Sequence, residues 1–369
     1  MGWSLHHKTG LIHSSPQQTY RGYTLVATNR GGYHANLIDM EGRICHRWYS
    51  EEGICYPYLL PNGNLLLRTS PPQVEGEERF GGSSASILEL DWDGNAVWSF
   101  RDSMLHHDFQ RLPNGNTLVL LWVPIPDDLK NQVVGGYESD GDSLPMLGDL
   151  VQEITPDGAV VYEWKSWEHL NEEEDVICFL ERRRERTHQN ALNLTPDGNL
   201  LVSFRQTSTV GIVDKASGDF TWKWGPGEVN HQHHPTYLDN GRILMFDNGC
   251  HRRGASRSRI LEVDQATNEI AWEYQGTPDI SFYSYNISSA ERQPNGNTLI
   301  CEGAPGRIFE VTPDKVIVWE YINPYFGDRG QAGSVNGVFR AHRYGPDHPG
   351  LQGKELDPAR YNSVNQLYA

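Results

Sequence analysis

Three observations predict the fold class of this chain. An Asn-Gly or Asp-Gly turn between apolar runs appears five times, an alternating strand ending on an aromatic appears six times, and no long helical pattern separates the copies. Together they predict an all-β chain, a six-bladed β-propeller of four-stranded antiparallel blades.

The first half of each unit is a hairpin: YLLPNGNLLLRT from Tyr58, RLPNGNTLVLLW from Arg111, NLTPDGNLLVSF from Asn193, TYLDNGRILMFD from Thr236 and RQPNGNTLICEG from Arg292. Asn, Asp and Gly tolerate the positive φ of tight hairpin turns, so the flanking runs read as paired strands. The second half is an alternating strand, a polar turn and a strand with a terminal aromatic. It reads HANLIDMEGRICHRWY from His34, SILELDWDGNAVWSF from Ser86, LVQEITPDGAVVYEW from Leu150, VGIVDKASGDFTWKW from Val210, RILEVDQATNEIAWEY from Arg259 and RIFEVTPDKVIVWEY from Arg307. Trp48, Trp98, Trp164, Trp222, Trp272 and Trp319 recur at this place, about every 50–60 residues, and are assigned to packing between adjacent blades.

The two ends complete each other. GYTLVATN near residue 22 matches a second strand with no first strand before it, and GVFRAHRYG from Gly337 is a first strand with nothing after it. The last blade is therefore expected to be closed by strands from both termini of a single domain spanning 1–369. Residues 1–20 and 351–369 are then surface tails. Two insertions interrupt the rhythm, at 123–148 (with the acidic run ESDGDS) and at 166–186. The second contains NEEEDVICFLERRRER, acids early and bases late, which predicts a short amphipathic helix. Both are expected near a mouth of the central channel, where long functional loops gather.

Composition narrows the function. A net charge of −17 over 369 residues argues against a nucleic-acid backbone as partner, while leaving room for a small anionic substrate held by one or two local arginines. No stretch reads as a membrane span, and the start MGWSLHHKTG lacks the apolar core of a secretory signal. Cys45, Cys55, Cys178, Cys250 and Cys301 are odd in number and never spaced as CxxC, which argues against a disulfide framework or structural zinc. A cytoplasmic protein is expected, or a periplasmic one if a leader has been removed.

Aligning the units on their turns and reading back seven residues gives Cys55, His107, Asn190, His233, Ser288, and Phe339 or Arg340 in the closing unit. Innermost strands line the channel, so these side chains are expected to converge. A repeat scaffold needs nothing polar there, and His106, His188 and His234 add to the concentration. Imidazole serves as base, nucleophile or metal ligand near neutral pH. Arg205, ending the apolar strand LLVSFR, either clamps an anion or pairs with an acid. The expected partner is a small aromatic or anionic substrate, with Arg340, Tyr56, Trp122, Tyr285 and His234 as candidate contacts. No organic cofactor is expected; a divalent metal in the channel would be held by His107, His188, His233 and His234.

From Gly22 to Leu351, and most densely over HQNALNLTPDGNLLVSFR, STVGIVDKASGDFTWKWGPG and QHHPTYLDNGRILMFDNG, the sequence resembles the bacterial arylsulfotransferases that do not use phosphoadenylyl sulfate. That resemblance implies a six-bladed propeller and movement of a sulfuryl group between phenols through a transient sulfohistidine. By motif it implies His233 as nucleophile, His188, Asn190 and Arg205 as sulfuryl-binding groups, and His107 as a further catalytic histidine. The family's Gln-His-Asp reads Gln-His-His here. Two other classes stay open on the residues alone: a metal-assisted lyase or hydrolase using the same histidines, and a non-catalytic propeller presenting loops to a protein.

Overall fold

The structure is a computed structural model that describes residues 8–29, 31–71, 80–138, 144–328 and 334–367. In chain order the strands are β1 (Gly10–Ser14), β2 (Tyr23–Ala27), β3 (His34–Ile38), β4 (Ile44–Tyr49), β5 (Tyr56–Leu59), β6 (Leu65–Arg68), β7 (Ser86–Leu90), β8 (Ala96–Arg101), β9 (Leu105–Arg111) and β10 (Thr117–Pro124). Then come β11 (Gly135–Tyr137), β12 (Leu147–Ile154), β13 (Val160–Lys165), β14 (Ile177–Arg182), β15 (Gln189–Leu194), β16 (Leu200–Phe204), β17 (Thr209–Val213), β18 (Phe220–Trp224), β19 (His233–Tyr237) and β20 (Arg242–Asp247). The last are β21 (Arg259–Asp264), β22 (Ile270–Gln275), β23 (Ser289–Arg292), β24 (Thr298–Glu302), β25 (Arg307–Val311), β26 (Ile317–Ile322), β27 (Gly327–Asp328), β28 (Ser334–Val335) and β29 (His342–Tyr344).

These form six antiparallel blades, and the chain is a six-bladed β-propeller as the repeat predicts. One compact unit takes in residues 1–76, 85–101 and 284–369 and holds three of the blades, ordered β29-β2-β3-β4, β5-β6-β7-β8 and β1-β26-β25-β24-β23, beside the small pair β27-β28. The other takes in 77–84 and 102–283 and holds β9-β10-β12-β13, β15-β16-β17-β18 and β19-β20-β21-β22. The expected closure by both termini is present within the first unit, where β29 pairs with β2, Tyr344 opposite Tyr23.

Four of the six repeated tryptophans join neighbouring blades through their N–H groups as well as their rings. The indole of Trp48 donates to Asp91 O at 3.1 Å, Trp164 to Gly218 O at 2.9 Å, Trp222 to Asn268 Oδ1 at 2.8 Å and Trp319 to Met40 O at 2.9 Å. Each acceptor lies in the last turn of the adjoining blade. A buried indole needs such an acceptor, so the same contact fixes both packing and spacing.

Three local expectations are corrected. Residues 10–14 lie in β1, an edge strand on β26, with Gly10 opposite Ile322, so the N-terminal stretch is part of a sheet. The C-terminal stretch is also anchored: Leu351 is buried, and Asn365, in the helix Asn362–Leu367, receives the Ile44 N–H at 2.8 Å. The predicted helix in 166–186 is instead a short 3-10 turn at Ser166–Glu168 followed by strand β14, which pairs in parallel with β11. The pairing is made by glycine: a Cβ on Gly135 would stand 2.1 Å from Ile177 O. The core of the acidic run ESDGDS, residues 139–143, lies outside the described residues. No helix among the described residues is long and apolar enough to cross a membrane.

Candidate active site

The inner strands of the second unit are irregular where the polar side chains sit. On β9, Phe109 opposes Val119 but the next partners are Leu105 and Leu121. On β15 the register breaks between Gln189 and Ala191, and on β19 between His233 and Thr236. The inner strands β5 and β23 of the first unit pair without a break. Such bulges bend a strand and re-aim a side chain, and they gather beside active sites. His107, His188, His231 and His234 have left-handed backbones, with φ of +44°, +52°, +59° and +50°. Each costs on the order of 1–3 kcal/mol outside glycine and persists only where its surroundings hold it.

His107 and His188 meet edge to face, ring centres 4.4 Å apart. A glycine pair closes over them: a Cβ on Gly82 would fall 2.2 Å from the His107 ring, and one on Gly81 3.5 Å from His188. Behind His107 runs a chain of buried groups. His107 Nδ1 lies 2.9 Å from His106 Nδ1, and His106 Nε2 lies 3.5 Å from Asp149 Oδ1. Burial pushes the Asp149 carboxyl up to about 6, against the lowering effect of hydrogen bonds from the Thr187 hydroxyl and the Gln189 N–H. His188 Nδ1 donates to Glu185 Oε2, which leaves its lone pair on Nε2.

His233 is buried, and its tautomer follows from its partners. Nδ1 stands 3.1 Å from the carbonyl of His231 and 2.7 Å from Asn248 Oδ1. A backbone carbonyl can only accept, so Nδ1 carries the proton and Nε2 the lone pair. Asn190 donates its amide to Gln232 O at 2.7 Å, which ties it to the residue before His233. Arg205 adopts the second of its two expected roles, pairing with Glu181 Oε1 at 2.7 Å, and its backbone N–H bonds His188 O at 3.3 Å. His231, between these groups, is pushed down to about 2, first by burial and then by Arg205, His251, His233 and His188. His234 is buried one residue further on.

The remaining candidates divide between the two units. Arg340 and Tyr56 belong to the first unit, where the Arg340 guanidinium lies 4.9 Å over the Tyr56 ring and 5.0 Å over Phe339. Tyr285 belongs there too and is exposed. Cys55 and Ser288, also in that unit, are buried and bonded to Ser70 and Ser284. Trp122 is buried with His106 stacked at 4.3 Å and Phe80 at its edge at 5.2 Å, so its ring is packed by protein. Among the described residues, the side chains close enough to share one ion are Cys178, His231 and His251, not the four histidines expected from the alignment.

Sequence reasoning missed Asn248, Asp149, Glu185 and Glu181. Asn248 stands in the FDNG turn directly after β20. The two glutamates were hidden in a charged run that reads as a solvated helix face.

No curated protein sequence matches the chain. Among solved structures it is similar to a protein of unknown function from Bacteroides caccae at 14% identity and TM-score 0.56, covering 87% of this chain and 98% of that one. It is also similar to a streptogramin B lyase (14%, TM-score 0.48, 91% and 93% covered) and to virginiamycin B lyase from Staphylococcus aureus (13%, 0.47, 85% and 88%). The first of these likenesses speaks for the fold alone. The sequence itself says more: residues 57–324 match the family model described as arylsulfotransferase (ASST), a span that holds all three bulged inner strands. The chain belongs to the arylsulfotransferase family.

Proposed function

We propose that this protein moves a sulfuryl group from an aryl sulfate to a phenolic acceptor, with His233 Nε2 as the nucleophile. The observation that carries the reading is the pair of acceptors on Nδ1, which puts the proton there and the nucleophilic lone pair on Nε2. In the first half-reaction Nε2 forms a bond to sulfur while the sulfur–aryl oxygen bond breaks, and the departing phenolate takes a proton from His107. In the second, His107 takes the acceptor's proton, the acceptor oxygen attacks sulfur, and the nitrogen–sulfur bond breaks. Asn190 and the guanidinium N–H groups of Arg205 that Glu181 does not take supply donors to the sulfuryl oxygens, where charge grows in each transition state, and His188 joins them from Nε2 in its imidazolium form, paired with Glu185. The chain from His107 through His106 to Asp149 supports the proton-shuttling role, because a titratable carboxyl stands at its end.

The test is the release of 4-nitrophenol from 4-nitrophenyl sulfate with and without added phenol. Release that depends on the acceptor, with phenyl sulfate as the second product, and its loss in His233→Ala are expected. Release that is unchanged in His233→Ala removes His233 as nucleophile. Release indifferent to the acceptor replaces transfer by hydrolysis.

A further inference from the structure

Next to Arg205 lies a cluster that sulfuryl transfer does not use. Cys178 on β14, His231 ahead of β19 and His251 in the loop after β20 place their ligand atoms within 4.8 Å of one another. Cys178 Sγ is 3.5 Å from His251 Nδ1, and the rings of His231 and His251 meet edge to face with centres 4.7 Å apart. Glu181 Oε1 stands 3.7 Å from Nδ1 of each histidine.

A second, independent observation concerns His231. It is 1% exposed, and neither of its ring nitrogens makes a hydrogen bond. Buried imidazole nitrogens are ordinarily bonded, and one left bare marks a place where a water or an ion completes the set. The backbone is also strained toward this arrangement: φ is +59° at His231 and +62° at His251. Gly249, whose Cβ would stand 2.0 Å from Arg257 O, permits the tight turn that delivers His251.

We propose that Cys178, His231 and His251 form a binding site for a borderline-soft divalent cation of the zinc type, separate from the sulfuryl-transfer residues. Tetrahedral zinc with bonds of about 2.3 Å to sulfur and about 2.0–2.1 Å to nitrogen sets its S and N ligands about 3.5 Å apart. The Cys178–His251 pair already has that spacing. One thiolate and two imidazoles select zinc, cobalt or copper over magnesium or calcium, whose ligands are oxygens. The thiol gives up its proton to solvent as the metal–sulfur bond forms. Three protein ligands leave a fourth position, and the Glu181 carboxylate flanks it. Cys178 is half-buried and His251 exposed, so the ion has an entry path.

The experiment titrates the full chain, treated with a chelator and dialysed, with cobalt(II) and reads absorbance. One ion per chain is expected, with visible bands of a tetrahedral site and a near-ultraviolet thiolate-to-cobalt band that zinc abolishes. Cys178→Ser should lose the near-ultraviolet band. His251→Ala should weaken binding by more than about 100-fold, beyond the loss of an outer-sphere partner. Both positions reach solvent, so these variants keep the test independent of whether a variant at buried His231 folds. Cys250→Ser and His107→Ala should titrate like the parent. No stoichiometric uptake, uptake unchanged in both Cys178→Ser and His251→Ala, or loss in Cys250→Ser or His107→Ala each overturns the assignment. Because the readout is binding, it stands or falls separately from sulfuryl transfer.

Discussion

If the tautomer of His233 is what makes it a nucleophile, Asn248 is the residue to perturb. In Asn248→Ala the Nδ1 proton keeps the His231 carbonyl at 3.1 Å but loses the shorter, 2.7 Å bond to the amide oxygen. A hydrogen bond of this kind contributes about 0.5–1.5 kcal/mol, rising to about 3 when a buried donor is stranded. Because a carbonyl remains, the lower range applies, and about 1.4 kcal/mol corresponds to tenfold in rate. We therefore expect kcat to fall about tenfold with KM changed less than about twofold, because the loss falls on the reacting nitrogen. Asn248→Asp keeps an acceptor at the same place and adds a charge that favours imidazolium. It should retain most of the rate and move the acid limb of the pH–rate profile upward. Initial rates of 4-nitrophenol release across pH, with phenol as acceptor, measure both. An Asn248→Ala enzyme within twofold of the parent refutes the tautomer argument. So does an Asn248→Asp enzyme as damaged as the alanine variant.

Three further expectations follow from the geometry. Gly82→Ala forces a Cβ into the His107 ring at 2.2 Å, whereas Gly94, also left-handed, has nothing within 4 Å. Gly94→Ala should cost about 1 kcal/mol for its backbone alone, and Gly82→Ala should cost more and abolish activity; equal costs by urea denaturation would show that the His107 contact is loose. His46, held down to about 4 by burial against the opposing bond to Trp92 O, stays neutral while the unfolded chain protonates near 6.5. Its contribution is complete above pH 6.5 and is lost as pH falls toward 4, about 2 kcal/mol by pH 5, so His46→Phe should flatten the stability–pH curve over that window. Glu310→Ala strands the fully buried Arg343 guanidinium and also removes the acceptor of the Tyr20 and Asn297 N–H groups. A loss of about 3–5 kcal/mol is expected from the urea midpoint, and a loss under about 1 kcal/mol would mean that water reaches the pair.

The fold was legible because its signals are local. Each Asn-Gly turn and each terminal tryptophan names its strand from a few neighbouring residues, and the closure by β29 followed from counting strands. Non-local signals misled. The run Ile177–Arg182 carries a charge order suited to a helix, yet a distant glycine pair, Gly135 and Gly136, offers it a strand partner. At the candidate site, the alignment found the histidines because a repeat exposes its own exceptions. It could not find the groups that stand beside them: Asn248 and Glu185, which hold His233 and His188 by hydrogen bonds, and Asp149, 3.5 Å from His106, come from different strands and turns, and only the folded register brings them together.

The irregular register of β9 has one more consequence. Along an even strand, consecutive side chains leave from opposite faces, so two adjacent histidines could never hand a proton to each other. Between Leu105 and Phe109 this strand carries two residues more than its partner, and the left-handed backbone of His107 (φ +44°) breaks that alternation, so His106 and His107 come within a single hydrogen-bond length. Trimming two amino acids from this stretch would therefore restore a tidier sheet and sever the pair, an exchange of function for regularity.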